Sequence, residues 1–155
     1  MFQIKNNFLH NQHLVNILNI VHKKNFVWFK ENEKPFILKH YLVREQGRDV
    51  SPYTLDILSE ILKNIEAKII LESTIVCYSP YKDHCENIQR SEFLYNKKYK
   101  TLILFLDNGD GYFNIVGTEK IKSRQNMSIL IDYFGPYILT NSKVSSKYIL
   151  QIHYQ

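Results

Sequence analysis

From residue 67 to its end the chain never returns to a helical repeat, and this constrains the fold more than any other feature. Two amphipathic patterns come before that point. Residues 11–23 place Leu14, Ile17, Leu18 and Val21 at the i, i+3, i+4, i+7 spacing of a helix, with Asn11 as the expected N-cap. Ser51-Pro52 then opens a second helix over 52–66. The serine can accept from an orphan backbone N–H, and proline at the first helical position gives up only an N–H that has no intrahelical partner. Leu55, Leu58, Ile61, Leu62 and Ile65 form its apolar stripe. Between the helices, Phe26–Lys30 and Phe36–Val43 have the character of short strands. Arg44–Val50, with Gly47, is a polar loop.

After Ile65 the period changes. Ala67–Tyr78 is apolar and β-branched, and Tyr99–Asp107 has the pattern of a buried strand. Asn108-Gly109-Asp110-Gly111 is a tight turn, because Asn-Gly and Asp-Gly tolerate positive φ. Tyr112–Val116, Met127–Tyr133, Tyr137–Thr140 and Lys147–Tyr154 continue the strands, and Ser79–Lys98 is polar and irregular. Strands without intervening helices disfavour a parallel α/β fold. They predict an α+β chain: a jelly roll or barrel with two N-terminal helices packed on one face. The expected organisation is one domain over 1–155, with a helical and strand part at 1–66 and a β core at 67–155.

Composition agrees with a packed core, since 45% of the residues are apolar and 23% charged. The net charge of +5 is scattered among 15 acids, so nucleic acid is not an expected partner. Lys97, Lys98 and Lys100 with Tyr95 and Tyr99 could form a basic-aromatic patch, but a solvated loop before a buried strand explains them as well. A nucleic-acid-binding β-domain stands as an alternative. Cys77 and Cys85 make no disulfide framework, and Cys77 is expected to be a buried thiol. His84 and Cys85 are adjacent on the chain and would point apart, which argues against a nucleophilic dyad. No apolar run approaches the roughly 18 residues of a membrane span, and the N-terminus lacks a leader pattern. A cytoplasmic protein is expected.

The order of the later elements resembles the double-stranded β-helix of the 2-oxoglutarate/Fe(II) oxygenases, above all the prolyl hydroxylases. The residues that carry the resemblance are Val76-Cys77-Tyr78, His84-Cys85-Glu86, Leu102–Asp107, Gly109-Asp110-Gly111-Tyr112-Phe113, Ile129–Tyr133 and Val144–Leu150. Non-heme Fe(II) needs two imidazoles and one carboxylate on one face. The resemblance implies that His84 and Glu86 are the first two metal positions, and that Lys147 is the cation for the far carboxylate of 2-oxoglutarate. The distal histidine should stand nine or ten residues before Lys147, where Ile138 and Tyr137 occur. The metal site is therefore expected to be vestigial and the chain to take no cofactor. The alternative is an active Fe(II)/2-oxoglutarate oxygenase that completes its triad with His40 or His153.

A narrower resemblance rests on Glu72-Ser73-Thr74-Ile75-Val76 followed by Tyr78-Ser79-Pro80. This run is similar to one in a poxvirus family of immunomodulators whose N-terminal domain copies the HIF prolyl hydroxylases without their chemistry. It implies a catalytically inactive, virus-encoded protein that binds a host protein, with a host HIF prolyl hydroxylase as the leading candidate. Trp28, beside Phe26 and Phe29, is the expected partner-binding anchor if it is exposed, and a core residue if it is not.

Overall fold

The computed structural model describes residues 2–33, 36–44, 48–83, 85–89, 99–115, 118–132 and 137–155. The chain runs β1 (Phe2–Lys5), α1 (Asn11–Val21), β2 (Phe29–Glu33), β3 (Phe36–Arg44), β4 (Arg48–Asp49), α2 (Thr54–Asn64) and β5 (Ile70–Tyr78). It continues with β6 (Glu86–Gln89), β7 (Lys100–Phe105), β8 (Tyr112–Ile115), β9 (Ile121–Lys122), β10 (Ser128–Ile131), β11 (Tyr137–Thr140) and β12 (Lys147–Tyr154). Both predicted helices are present, shorter at their ends than the apolar pattern implied. The cap of α1 is His10, whose ring nitrogen accepts from the Gln12 N–H, and not Asn11. Ser51 does not cap α2 directly. Its hydroxyl accepts from the Tyr53 N–H and binds the ring of His40, so it ties the start of the helix to β3.

Two sheets face each other. The larger has the order β1-β10-β7-β12-β5-β3-β2, with β4 also paired to β3; the smaller has the order β6-β11-β8-β9. Every recorded pairing is antiparallel. This is the predicted jelly roll with its two helices on one face. The sequence missed β1, β4, β6 and β9. Each has four residues or fewer, too few for alternation to declare itself.

Side-chain alternation along β12 shows how the layers are built. Leu150, Ile152 and Tyr154 join the cluster under the helices, while Ile149 joins the cluster between the sheets. The first cluster takes Ile17, Ile20 and Val21 from α1 and Ile57, Leu58 and Ile61 from α2. The second takes Val76, Tyr78, Ile103, Phe105, Phe113, Ile129 and Leu139. An 11-residue helix is marginal alone, so α2 is held by its buried stripe. Ile57 and Ile61 are wholly buried there. An Ile61→Ala variant should lose about 2–5 kcal/mol of unfolding free energy. Urea denaturation followed by far-UV circular dichroism will measure the loss.

Candidate functional site in the barrel

The space between the sheets is where this architecture would hold a ligand, and the strands supply its lining by alternation. Tyr137 and Leu139 of β11 point inward and are buried with the inter-sheet cluster. Tyr137 packs against Phe113 with ring centroids 5.8 Å apart, and burial pushes its phenol well above its ordinary pKa. The resemblance expects the distal histidine at Tyr137 or Ile138, so of these two inward residues only Tyr137 stands at an expected position. The two carry a neutral phenol and an alkyl chain that fill the core.

His84 lies outside the described residues. Glu86 opens β6 and pairs with Thr140, at the far end of β11 from Tyr137. Three residues of strand separate those ends by about 10 Å. Directly opposed residues share a face of the sheet, and Glu86 lies on the outer one. There its carboxylate accepts from the Tyr112 hydroxyl at 2.6 Å and lies 4.0 Å from the Lys120 ammonium. Asn87 and Gln89 hold the register positions opposite Leu139 and Tyr137. The loop before β6 is fixed by Asn141, which is fully buried. Its Oδ1 accepts from the Cys85 N–H at 2.7 Å, and its Nδ2 donates to the carbonyls of Tyr81, Asp83 and Ser142.

Lys147 is 1% exposed and enters the inter-sheet space from the first position of β12. Its Nζ donates to the Thr140 carbonyl at 3.0 Å and sits 5.1 Å from the centre of the Phe105 ring. A Cβ on Gly111 would stand 2.5 Å from that ammonium and 2.7 Å from the Thr140 carbonyl oxygen. Gly111, read in the sequence as a turn residue, is therefore required for the close approach of the lysine. Desolvation pulls the Lys147 pKa down to about 8, with the Asp107 and Asp110 carboxylates opposing. Burial pushes Asp107 up to about 6, although its Oδ2 accepts from the Tyr148 N–H at 3.0 Å.

The two histidines named as replacement ligands are both occupied in the fold. His40 faces the helices: Nδ1 meets the Val27 carbonyl at 2.6 Å, Nε2 meets the Ser51 hydroxyl at 2.8 Å, and the ring stacks on Phe26 at 3.9 Å. His153 does face the inter-sheet space, but its Nδ1 is engaged by the Thr101 hydroxyl at 2.9 Å and Tyr99 lies edge-on at 5.3 Å. Burial lowers its pKa to about 4 and keeps it neutral. Beside it Gln151 is 6% exposed, and its Nε2 has no hydrogen-bond partner among the described residues. Gln151 has no role in the sequence reading; its inward position, like that of His153, becomes visible only by counting alternate positions from Lys147. Cys77 is a buried thiol raised to about 11, hence unreactive, as expected.

Trp28 is half buried at the rim of an aromatic cluster, edge-on to Phe26 at 4.9 Å and tilted against Tyr148 at 6.1 Å. Of the basic-aromatic patch, Tyr95, Lys97 and Lys98 lie outside the described residues. Among the described residues no helix is long and apolar enough to cross a membrane.

No protein-family model and no curated protein matches the chain in sequence. Solved structures do match it in fold. A prolyl hydroxylase from Trichoplax adhaerens, in complex with a hypoxia-inducible-factor oxygen degradation domain peptide, superposes with a TM-score of 0.71 at 11% identity, over 99% of this chain and 82% of that one. A Pseudomonas putida prolyl-4-hydroxylase gives 0.65 at 8% identity, over 99% and 92%. HygX from Streptomyces hygroscopicus, solved with nickel and 2-oxoglutarate, gives 0.64 at 9%, over 99% and 82%. The fold is the jelly roll of the 2-oxoglutarate/Fe(II) oxygenases.

These neighbours correct the expectation that no cofactor is involved. HygX was solved with 2-oxoglutarate, and a further match in fold, from Burkholderia pseudomallei (TM-score 0.68 at 9% identity, over 99% of this chain and 85% of that one), is an oxidoreductase of the 2OG-Fe(II) oxygenase family, so Fe(II) and 2-oxoglutarate are the cofactors to which these neighbours point. The residues of this chain answer that unevenly. Lys147 is a buried cation of the kind that anchors a carboxylate. The described residues do not fit the iron: no three of His, Cys, Asp and Glu among them come together to hold a metal.

Three variants test this electrostatic picture. His153 has a folded pKa below its unfolded value of 6.5, so the folded state binds fewer protons between about pH 4 and 6.5. Its stabilisation is present above pH 6.5 and is lost as the pH falls through that window. Asp107, raised from 3.8 to about 6, works in the opposite sense: its burial costs stability above pH 6 and the cost is relieved toward pH 4. In urea denaturation from pH 7 to 4.5, His153→Asn should gain stability relative to the parent as the pH falls, and Asp107→Asn should lose it. Lys147 is depressed from 10.5 to about 8, so charging it in the fold costs stability below pH 8, and the cost fades as the pH rises to 10.5. Lys147→Met should equal or exceed the parent in stability at pH 7, and its relative advantage should shrink by pH 10.

Proposed function

We propose that the chain is a prolyl-hydroxylase-like binding protein without hydroxylase turnover. On the resemblance described above, it acts on a host protein and modulates oxygen sensing or innate immune signalling. The observation that carries the reading is β11. Its inward positions, Tyr137 and Leu139, are packed core residues where Fe(II) chemistry needs an imidazole. Glu86, the carboxylate of the His-x-Glu string, is on the outer face with Tyr112 and Lys120. His84 and Glu86 are then remnants of a metal motif by sequence only, and Lys147 a remnant anchor now bonded to the chain's own Thr140 carbonyl. The proposal concerns turnover and does not depend on whether Fe(II) or 2-oxoglutarate binds.

The leading partner by resemblance is a host HIF prolyl hydroxylase. The neighbour from Trichoplax, a hydroxylase solved with its peptide, supports recognition of a protein chain by this scaffold. Trp28 is the proposed anchor, as a half-buried aromatic at the rim of the fold. The test has two arms. With Fe(II), 2-oxoglutarate and ascorbate, succinate release should stay at the buffer level. Capture from host lysate should recover the same partner with the parent chain and with a His84→Ala/Glu86→Ala variant, and lose it with Trp28→Ala. Succinate release that depends on His84 or Glu86 would overturn the reading.

A further inference from the structure

The helix layer leaves one end of the large sheet bare. α1 stops at Val21, and the outer-face row just beyond it is set by register: Lys30 on β2, Leu38 on β3, Cys77 on β5 and Tyr148 on β12. The row before it, His40, Ile75 and Leu150, is covered by the helices. Leu38 is half buried and belongs to neither buried cluster. Tyr148, also half buried, is flanked by His22 at 5.2 Å and Trp28 at 6.1 Å. Phe36 is 50% exposed and lies 5.1 Å beneath the Lys30 ammonium, and Val27 is 57% exposed beside Trp28. Isolated apolar side chains at a surface mean little, but these lie close together along one end of the sheet, with Cys77 buried between Leu38 and Tyr148.

Size and charge select an occupant. Four strands span about 14 Å, wide enough for one helix of about 10 Å diameter. Two exposed lysines, Lys23 and Lys24, follow His22 directly, and Lys30 stands at the opposite edge. Of the acids nearby, Glu33 pairs with Lys30 itself at 2.8 Å, and Asp107 is half-buried and accepts from the Tyr148 N–H through one of its oxygens.

We propose that this bare sheet face is a docking site for an amphipathic helix of the partner protein, apolar where it meets Trp28, Leu38 and Tyr148 and acidic along its flanks. Such a helix would extend the layer that α1 and α2 begin, and its carboxylates would answer Lys23, Lys24 and Lys30. The existence of a partner rests on the binding function proposed above. The surface and the chemistry of the occupant rest on the geometry.

Trp28 is the single tryptophan of the chain and stands at the site, so its fluorescence reports directly. The probe is an 18-residue amphipathic helical peptide built from leucine and glutamate, with a leucine and lysine peptide as control. The glutamate peptide should shift Trp28 emission to the blue in a saturable titration, while the lysine peptide binds at least about tenfold more weakly. Lys30→Glu should weaken the glutamate peptide by about tenfold and Phe36→Asp should abolish the shift, with melting temperatures close to the parent because both residues are exposed. No shift, equal affinity for the two peptides, or a shift that follows self-association of the chain in sedimentation would overturn the site. Lysate capture separates the two proposals. A partner retained equally by Phe36→Asp would reject this surface and leave the binding function standing, whereas a parent chain that captures nothing would reject the function.

Discussion

Strand β12 lies between β5 and β7, and the two faces it presents set the plan of the molecule. Successive side chains on a strand point to opposite sides. On β12 they are committed to opposite tasks: Leu150, Ile152 and Tyr154 seat the helices, and Lys147, Ile149, Gln151 and His153 line the space between the sheets. A slip of one residue would move the lysine and histidine under the helices and the leucine and isoleucine into the inter-sheet space. The neighbours β5 and β7 repeat the division, with Val76, Tyr78, Ile103 and Phe105 inward and Ile75, Leu102 and Leu104 toward the helices. Helices on one side and a second sheet on the other are the consequence.

Filling that inner space has shaped its chemistry. Tyr78, Phe105, Phe113 and Tyr137 are large, and their packing turns much of the interior into core. Two of the polar groups that remain are matched within the fold, Lys147 to the Thr140 carbonyl and His153 to Thr101, while the Gln151 amide nitrogen has no partner among the described residues. Gly111 makes room for the lysine head, so a turn on the small sheet and a charge on the large one are mutually dependent. A scaffold shared with Fe(II)/2-oxoglutarate oxygenases thus keeps a buried cation but lacks, among its described residues, a triad for iron. Its outward surface, by contrast, exposes Val27 and Phe36 beside the half-buried Trp28.

In the candidate site, residue identity and strand register separate. The resemblance located Tyr137 and Ile138 as the place of the missing ligand, and in the fold Tyr137 occupies an inward position of β11. The same resemblance chose His84-Cys85-Glu86 by its letters. Register moves Glu86 to the outer face, opposite Thr140. One residue of strand phase separates a ligand from a surface carboxylate, and β6 lies in a polar stretch without the alternation that would have fixed that phase.

The sequence by itself determined the presence of the two helices, which run over Asn11–Val21 and Thr54–Asn64, and the succession of strands from residue 67, and with them a jelly roll or barrel, because a change from a 3.6-residue to a two-residue apolar period is written in local order. It also held Lys147 as the cation of the last strand. Tertiary structure alone decided which residues meet. It set the opposition of Glu86 and Thr140, the clasp of Asn141 on the loop at Tyr81–Cys85, the pairing of His153 with Thr101, and the bare row at Leu38 and Tyr148. Each joins strands or loops far apart in the chain. The registers that bring them together are chosen by packing across the sheets, a quantity that no local window of sequence contains.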